Sequence, residues 1–162
     1  MTKTPDPASF FETLIEIGII NQLSTTILES QMPKGLIAPH FAVLNHLMRV
    51  ADGRTPVELA RAFQVPKTSM THTVAGLEKH GLVDIRPNPN DGRSKCVWLT
   101  DAGRELRQSV MENLAPEFAA MSERFDMQKL VDILPTLTGF RQFLDDYRNA
   151  EPPRDRPVDP KR

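Results

Sequence analysis

The sequence predicts a mainly α-helical fold with one small β-hairpin, arranged as a winged helix-turn-helix between N- and C-terminal helices. Three observations carry this. Between Thr55 and Thr100 a short helix and a second helix-sized segment precede two extended runs around a Pro/Asn/Asp/Gly-rich tip. A new helix start follows. On either side, near residues 8–31 and 130–144, apolar side chains recur at helical rather than strand spacing.

Residues 1–7 hold Pro5 and Pro7 and are expected to be flexible. From Ala8 to Gln31 one stripe follows Phe10, Leu14 and Ile17, and Phe11, Ile15, Ile19, Leu23 and Ile27 widen it. So broad an apolar surface fits either a central core helix or a helix shared with a second subunit. Pro33 and Gly35 end this helix, and Pro39 starts a second one that reaches about Ala51. Phe41, Leu44, Leu47 and Met48 should face inward there. Asp52-Gly53 closes it. Thr55 and Glu58 are spaced as a capping box, with Pro56 at the first helical position. Val57, Leu59, Ala60 and Phe63 are the buried side of this short helix.

The next helix spans about Pro66 to His80. Met70, Val74 and Leu77 lie at i, i+4 and i+7 and share its inner face. Gly81 stands where a left-handed cap residue is needed. Leu82 to Arg86 reads as a strand, Pro87 to Gly92 as a turn or loop, and Ser94 to Leu99 as the return strand, with Trp98 at its base. Thr100 caps a long helix that Pro116 should kink or break. Asp126 can cap a last helix, which Pro135 should bend. From Glu151 the Pro-rich, charged tail is expected to be disordered. The organisation expected is 1–7 flexible, 8–35 and 101–149 helical flanks, 36–100 the winged segment, and 150–162 disordered.

Composition narrows the function. Apolar residues make up 40% of 162, enough for a core, and no apolar run is long enough to span a membrane. No secretion signal is visible, and the single cysteine, Cys96, excludes an internal disulfide and suits a reducing cytoplasm. Net charge is −1, but its distribution is uneven. Residues 61–109 sum to +3, whereas 1–30 and 110–150 each sum to −3. The positive field therefore lies on the winged segment, and the local field is what a phosphate backbone meets. Enzyme chemistry finds no support: there is no Gly-rich phosphate loop, nucleophile elbow or HExxH. No two of His40, His46, His72 and His80 form an i, i+4 pair, so neither a metal site nor a cofactor is expected.

A helix that enters the major groove needs a slim outer face with donors and acceptors near its N-terminus. Lys67 and the free amides there suit phosphates, and Thr68, Ser69 and His72 have the spacing to reach base edges, with Thr71 beside them. An ordinary solvated hydroxyl-rich face is the bland alternative. At the hairpin tip, Arg93 can enter a minor groove, Asp91 can brace its side chain, and Lys95 can meet phosphate. A plain Asp-Gly turn with solvated cations is the alternative there.

The string GLVDIRPNPNDGRSKCVWLTDAGREL resembles the wing and following helix of the MarR family of winged-helix regulators. Leu77-Glu78, Gly81-Leu82-Val83, Arg86, Asp91, Arg93, Leu99-Thr100 and Gly103 match the family pattern, and TPVELARAFQVPKTSMTHTVAGLEKHGL is similar to its helix-turn-helix. Gly92 departs from the usual tip Arg, and Pro66 from the usual capping Ser. The resemblance implies a six-helix order and a homodimer in which the 8–35 and 101–149 helices are the dimerisation region. It also implies a pseudo-palindromic operator on double-stranded DNA, commonly repression, and often release by a small phenolic or lipophilic effector. By position His40, Phe41, Leu44 and Met48 are candidates for such a pocket, although core packing explains the three apolar ones equally well. The competing reading is a winged helix that contacts protein without specific DNA readout. Cys96, on the return strand, reads as an inert strand residue rather than a redox sensor.

Overall fold

The computed structural model describes residues 6–149. The chain divides into two compact units, Met1–Glu117 and Phe118–Arg162. The expected disordered tail lies outside the described residues, as do residues 1–5 of the expected flexible start. Asp6 and Pro7, in contrast, are the N-cap and first residue of a helix.

In the first unit the elements run α1 (Pro7–Ser30), α2 (Ala38–Arg49), α3 (Pro56–Phe63), α4 (Lys67–Lys79), β1 (Val83–Asn88), β2 (Asp91–Leu99) and most of α5 (Asp101–Ser122). Local chemistry accounts for the boundaries. At α3 the Thr55 hydroxyl accepts the Glu58 N–H at 3.2 Å while the Glu58 carboxylate accepts the Thr55 N–H at 2.8 Å. That bond from the Thr55 amide leads the interactions that hold the Glu58 carboxyl below its ordinary range. At the end of α4, Gly81 has φ +67°. Its N–H donates to the Glu78 carbonyl at 2.9 Å and the Leu82 N–H to the Leu77 carbonyl at 3.0 Å, a Schellman closure. The Glu29 carboxylate reaches across from α1 to accept the Ala38 N–H at 2.8 Å and caps α2.

The main core gathers Val43, Leu44 and Leu47 of α2, Leu59 of α3, the α4 triplet Met70, Val74 and Leu77, and Leu82, Val83, Val97 and Leu99 of the hairpin. Each predicted inner residue of α4 is thus buried. A second cluster joins Phe41 to Val110 and Leu114 of α5. Cys96 is buried on β2, and its neighbour Lys95 is exposed.

Several expectations need correction. Met48 is 40% exposed rather than inward. The hairpin strands run further than expected: Pro87 pairs with Lys95 and Asn88 with Asp91, which leaves Pro89-Asn90 as the turn. Proline is tolerated because a two-stranded hairpin has an open edge, and the register shifts between Pro87 and Asn88. Pro116 does not break α5, which is continuous to Ser122; an interior proline removes one backbone bond, and the alanines and leucine around it favour helix. The helical segments number seven among the described residues, not six, since the second unit holds α6 (Gln128–Asp132) and α7 (Leu134–Asn149). Pro135 therefore sits in the first turn of a new helix instead of bending an old one. It cannot donate back to Val131, and the first turn is where that loss is free.

Nothing in α1 is fully buried: Phe11 is 63% and Leu23 61% exposed, and only Ile27 and Leu28, near its C-terminus, pack against the second cluster. A helix at the centre of its own unit's core would be covered, and α1 is not.

Two tests follow from this packing. A Cβ at Gly103 would collide with the Leu82 carbonyl oxygen. Gly103→Ala should therefore cost about 1–3 kcal/mol of stability in urea unfolding. His40, buried at the start of α2, accepts the Ile37 N–H on Nδ1 at 3.0 Å. Burial, then the nearby His80, push its pKa below the ordinary 6.5; burial and Arg54 do the same at His46. The neutral rings are favoured by folding, so their contribution is complete above pH 6.5 and is lost as pH falls below it. The urea midpoint should decline between pH 7 and 5, and His40→Gln should reduce that decline.

Candidate nucleic-acid interface

The candidate interface is built on the turn between α3 and α4. Gln64 takes the left-handed conformation at φ 55°, and the Val65 N–H returns to the Ala60 carbonyl at 3.1 Å. Pro66 then occupies the N-cap of α4 and gives it no side-chain cap bond. The amides of the first α4 turn consequently have no side-chain acceptor.

With Met70, Val74 and Leu77 inward, a rotation of about 100° per residue carries Thr68, His72, Ala75 and Lys79 to the opposite side. Lys67, Thr68, Ser69, Thr71 and His72 are all exposed. The Thr71 hydroxyl donates to the Lys67 carbonyl at 2.9 Å, so outward it offers a methyl and an acceptor but no proton. The side chains of Lys67, Thr68 and His72 have no hydrogen-bond or ion-pair partner among the described residues. Ser69 lies on the flank of α4 that, with Thr73, lines a cavity.

The hairpin tip is organised by its own polar side chains. The Asn88 side-chain Oδ1 accepts the Asn90 N–H at 3.0 Å, and its Nδ2 donates to the Ser94 hydroxyl at 2.9 Å. Asp91 accepts the Arg93 backbone N–H at 3.0 Å. This corrects the expected brace: Asp91 shapes the loop through the main chain, and no ion pair joins it to the Arg93 guanidinium. A short carboxylate two residues back reaches the amide more readily than the end of a long side chain. Arg93 and Lys95 are exposed and unpaired among the described residues. Arg86, by contrast, is engaged at the wing base, 2.8 Å from the Asp84 carboxylate and 5.9 Å over the Trp98 ring.

A cavity of about 660 Å³ lies among α1, α2, the α3–α4 turn and α4. Of the four predicted pocket residues, only Phe41 lines it. Leu44 is fully buried in the main core, Met48 faces outward, and His40 is turned to the backbone of Gly76. The residues that reasoning missed are Asn21, Ser24, Thr25 and Leu28, spaced i, i+3, i+4, i+7 along α1. That periodicity was available in the sequence, masked by the stronger apolar pattern beside it. Among the described residues no ionisable side chain lines the cavity.

A family model described as MarR family matches residues 34–94. Transcriptional activatory protein BadR of Rhodopseudomonas palustris is 33% identical over 145 residues, covering 88% of this chain and 79% of that protein. Two solved structures share the fold. The transcriptional regulator BldR from Sulfolobus solfataricus superposes with a TM-score of 0.70 at 21% identity, covering 84% of this chain and 99% of the other. A mutant MarR from E. coli complexed with operator DNA gives 0.68 at 24% identity, with 84% and 99% covered. The family match lies on the helix-turn-helix and most of the wing, and the 33% identity extends along most of the chain. This chain belongs to the MarR family of transcriptional regulators and carries its winged-helix DNA-binding fold.

Proposed function

We propose that the protein is a sequence-specific DNA-binding regulator that acts as a homodimer on a pseudo-palindromic operator. The observation that carries the reading is an outer α4 face on which Lys67, Thr68 and His72 have no partner among the described residues, followed by a wing whose two tip cations are likewise unpaired. In this reading Lys67, Thr68, Ser69, Thr71 and His72 read or position the major groove. Arg93 enters the minor groove, Lys95 meets phosphate, and Asp91 holds the loop that presents them.

Dimerisation through 8–35 and 101–149 is supported by apolar side chains exposed on α1 and on the α6–α7 segment, among them Phe11, Ile15, Ile20, Phe143 and Leu144. Exposed apolar surface of this extent marks an association face. Two reading helices about one DNA turn apart would match a two-fold site. Repression is the commoner outcome in the family; activation is the second reading, favoured by the R. palustris relative, a transcriptional activatory protein. A contact module without DNA readout is not favoured, because it leaves the free cations without a role. A small effector is supported by the cavity, whose uncharged lining favours a neutral, largely apolar molecule over an anion that would be desolvated without a counter-charge. Among the described residues no helix is long and apolar enough to cross a membrane.

Fluorescence anisotropy against the DNA upstream of the gene, beside a scrambled duplex at two salt concentrations, tests the reading. Arg93→Ala should cost about 1–3 kcal/mol of operator binding and relax base preference at the wing position. Lys67→Ala should weaken all sequences alike and lower the salt slope by about one. Equal weak binding to both duplexes, followed by failure to select any site from random DNA, would return the wing to protein contact. For the effector, 1-naphthol should alter operator affinity, 1-naphthoate should do so less, and Ala42→Phe, which fills the cavity, should abolish the response.

A further inference from the structure

One carboxylate joins three elements at the wing root. Asp52, in the α2–α3 connection, accepts the Leu99 N–H on Oδ1 at 2.9 Å and the Gly53 N–H on the same oxygen at 3.0 Å. Its Oδ2 lies 2.8 Å from the Arg104 guanidinium on α5. Two residues on, the Arg54 carbonyl accepts the Val97 N–H at 2.8 Å, so the connection adds a one-residue third edge to β2. Gly53, at φ +70°, brings its backbone against the Trp98 ring, where a Cβ would stand 2.5 Å from the indole. A short acid followed by glycine satisfies all of this.

We infer that Asp52 is a positioning residue for DNA binding, setting the angle at which the wing leaves the body. The inference rests on the reading of Arg93 and Lys95 as DNA contacts. The geometry gives it leverage. Leu99 and Lys95 lie on one strand, about 13 Å apart at 3.3 Å per residue. A root tilt of about 5° therefore moves Lys95 by about 1 Å, and the tip beyond it further, enough to spoil a hydrogen bond. An exposed ion pair by itself contributes little. Here the side chain of Asp52 is only 24% exposed, and its main acceptors are used on backbone N–H groups of the wing and its own turn. The ion pair to Arg104 fixes the carboxylate so that Oδ1 stays on Leu99.

Two variants separate these parts. Asp52→Ala removes the acceptor; Arg104→Gln removes only the cation, at a side chain 44% exposed whose loss leaves the core intact. In the free protein, amide hydrogen exchange at Val97 and Leu99 should rise at least about fivefold in Asp52→Ala while the α4 amides stay protected. Both variants should lower operator affinity about three- to tenfold, and Arg104→Lys should restore it. In an Arg93→Ala, Lys95→Ala background the same substitutions should have no further effect, since they act through the wing. Unchanged exchange at Leu99, or an affinity loss that persists undiminished without these two cations, would overturn the inference. An Arg93→Ala variant that binds as well as the parent would instead remove the DNA reading of the wing, and this assignment with it.

Discussion

The crossing at Gly81-Leu82 is the constraint on which the rest of the winged segment depends. Here α4 must stop, the chain must reverse into β1, and α5 must begin beside both. The left-handed Gly81 makes the reversal possible. The Thr100 hydroxyl then donates to the Gly81 carbonyl at 2.8 Å, and the Thr100 N–H to the Leu82 carbonyl at 3.2 Å. The same hydroxyl accepts the Gly103 N–H at 3.0 Å and caps α5, whose first turn lies on the Leu82 carbonyl only because Gly103 lacks a side chain. The end of α4, the wing and the start of α5 are thus held within a few residues of backbone, and Leu77, Leu82 and Leu99 are buried beneath them.

Much of this was legible because its determinants are local. Thr55 and Glu58 are three residues apart, Met70, Val74 and Leu77 share one helix face, and Gly81 has one good reason to follow a helix. Legibility ended where partners are distant or polar side chains replace ladder bonds. Asp52 meets an amide 47 residues away and a guanidinium 52 residues away, which no periodicity announces. The Asn88, Asp91 and Ser94 side chains carry the strands further toward the tip than a Pro/Asn/Gly-rich string suggests. Met48 has helical spacing for burial but falls at the edge of the α2 inner face, and only packing decides such a position. The cavity was mislaid for a related reason: α2 has one face for the core and another for α1, and Phe41 and Leu44 divide between them.

The two clusters also separate two tasks. The main core makes the helix-turn-helix and hairpin a rigid body, so that cations on α4 and on the wing keep a fixed relation. The smaller cluster, with Phe41, Val110 and Leu114, ties α2 to α5 and receives the last turns of α1. Ser69 and Thr73 stand where these regions meet, on α4 yet lining the cavity. A molecule held there would touch α4 directly, with no long relay needed between the cavity and that helix.

The only tryptophan of the chain is Trp98, half-buried between the backbone of Gly53 and the guanidinium of Arg86. Its indole therefore emits from the wing root and from nowhere else. A change in the packing of that root alters the polarity and the cation beside the ring, and so the colour and yield of the protein's own fluorescence. The fold carries an unlabelled optical gauge of the wing, readable in the free protein and on DNA alike.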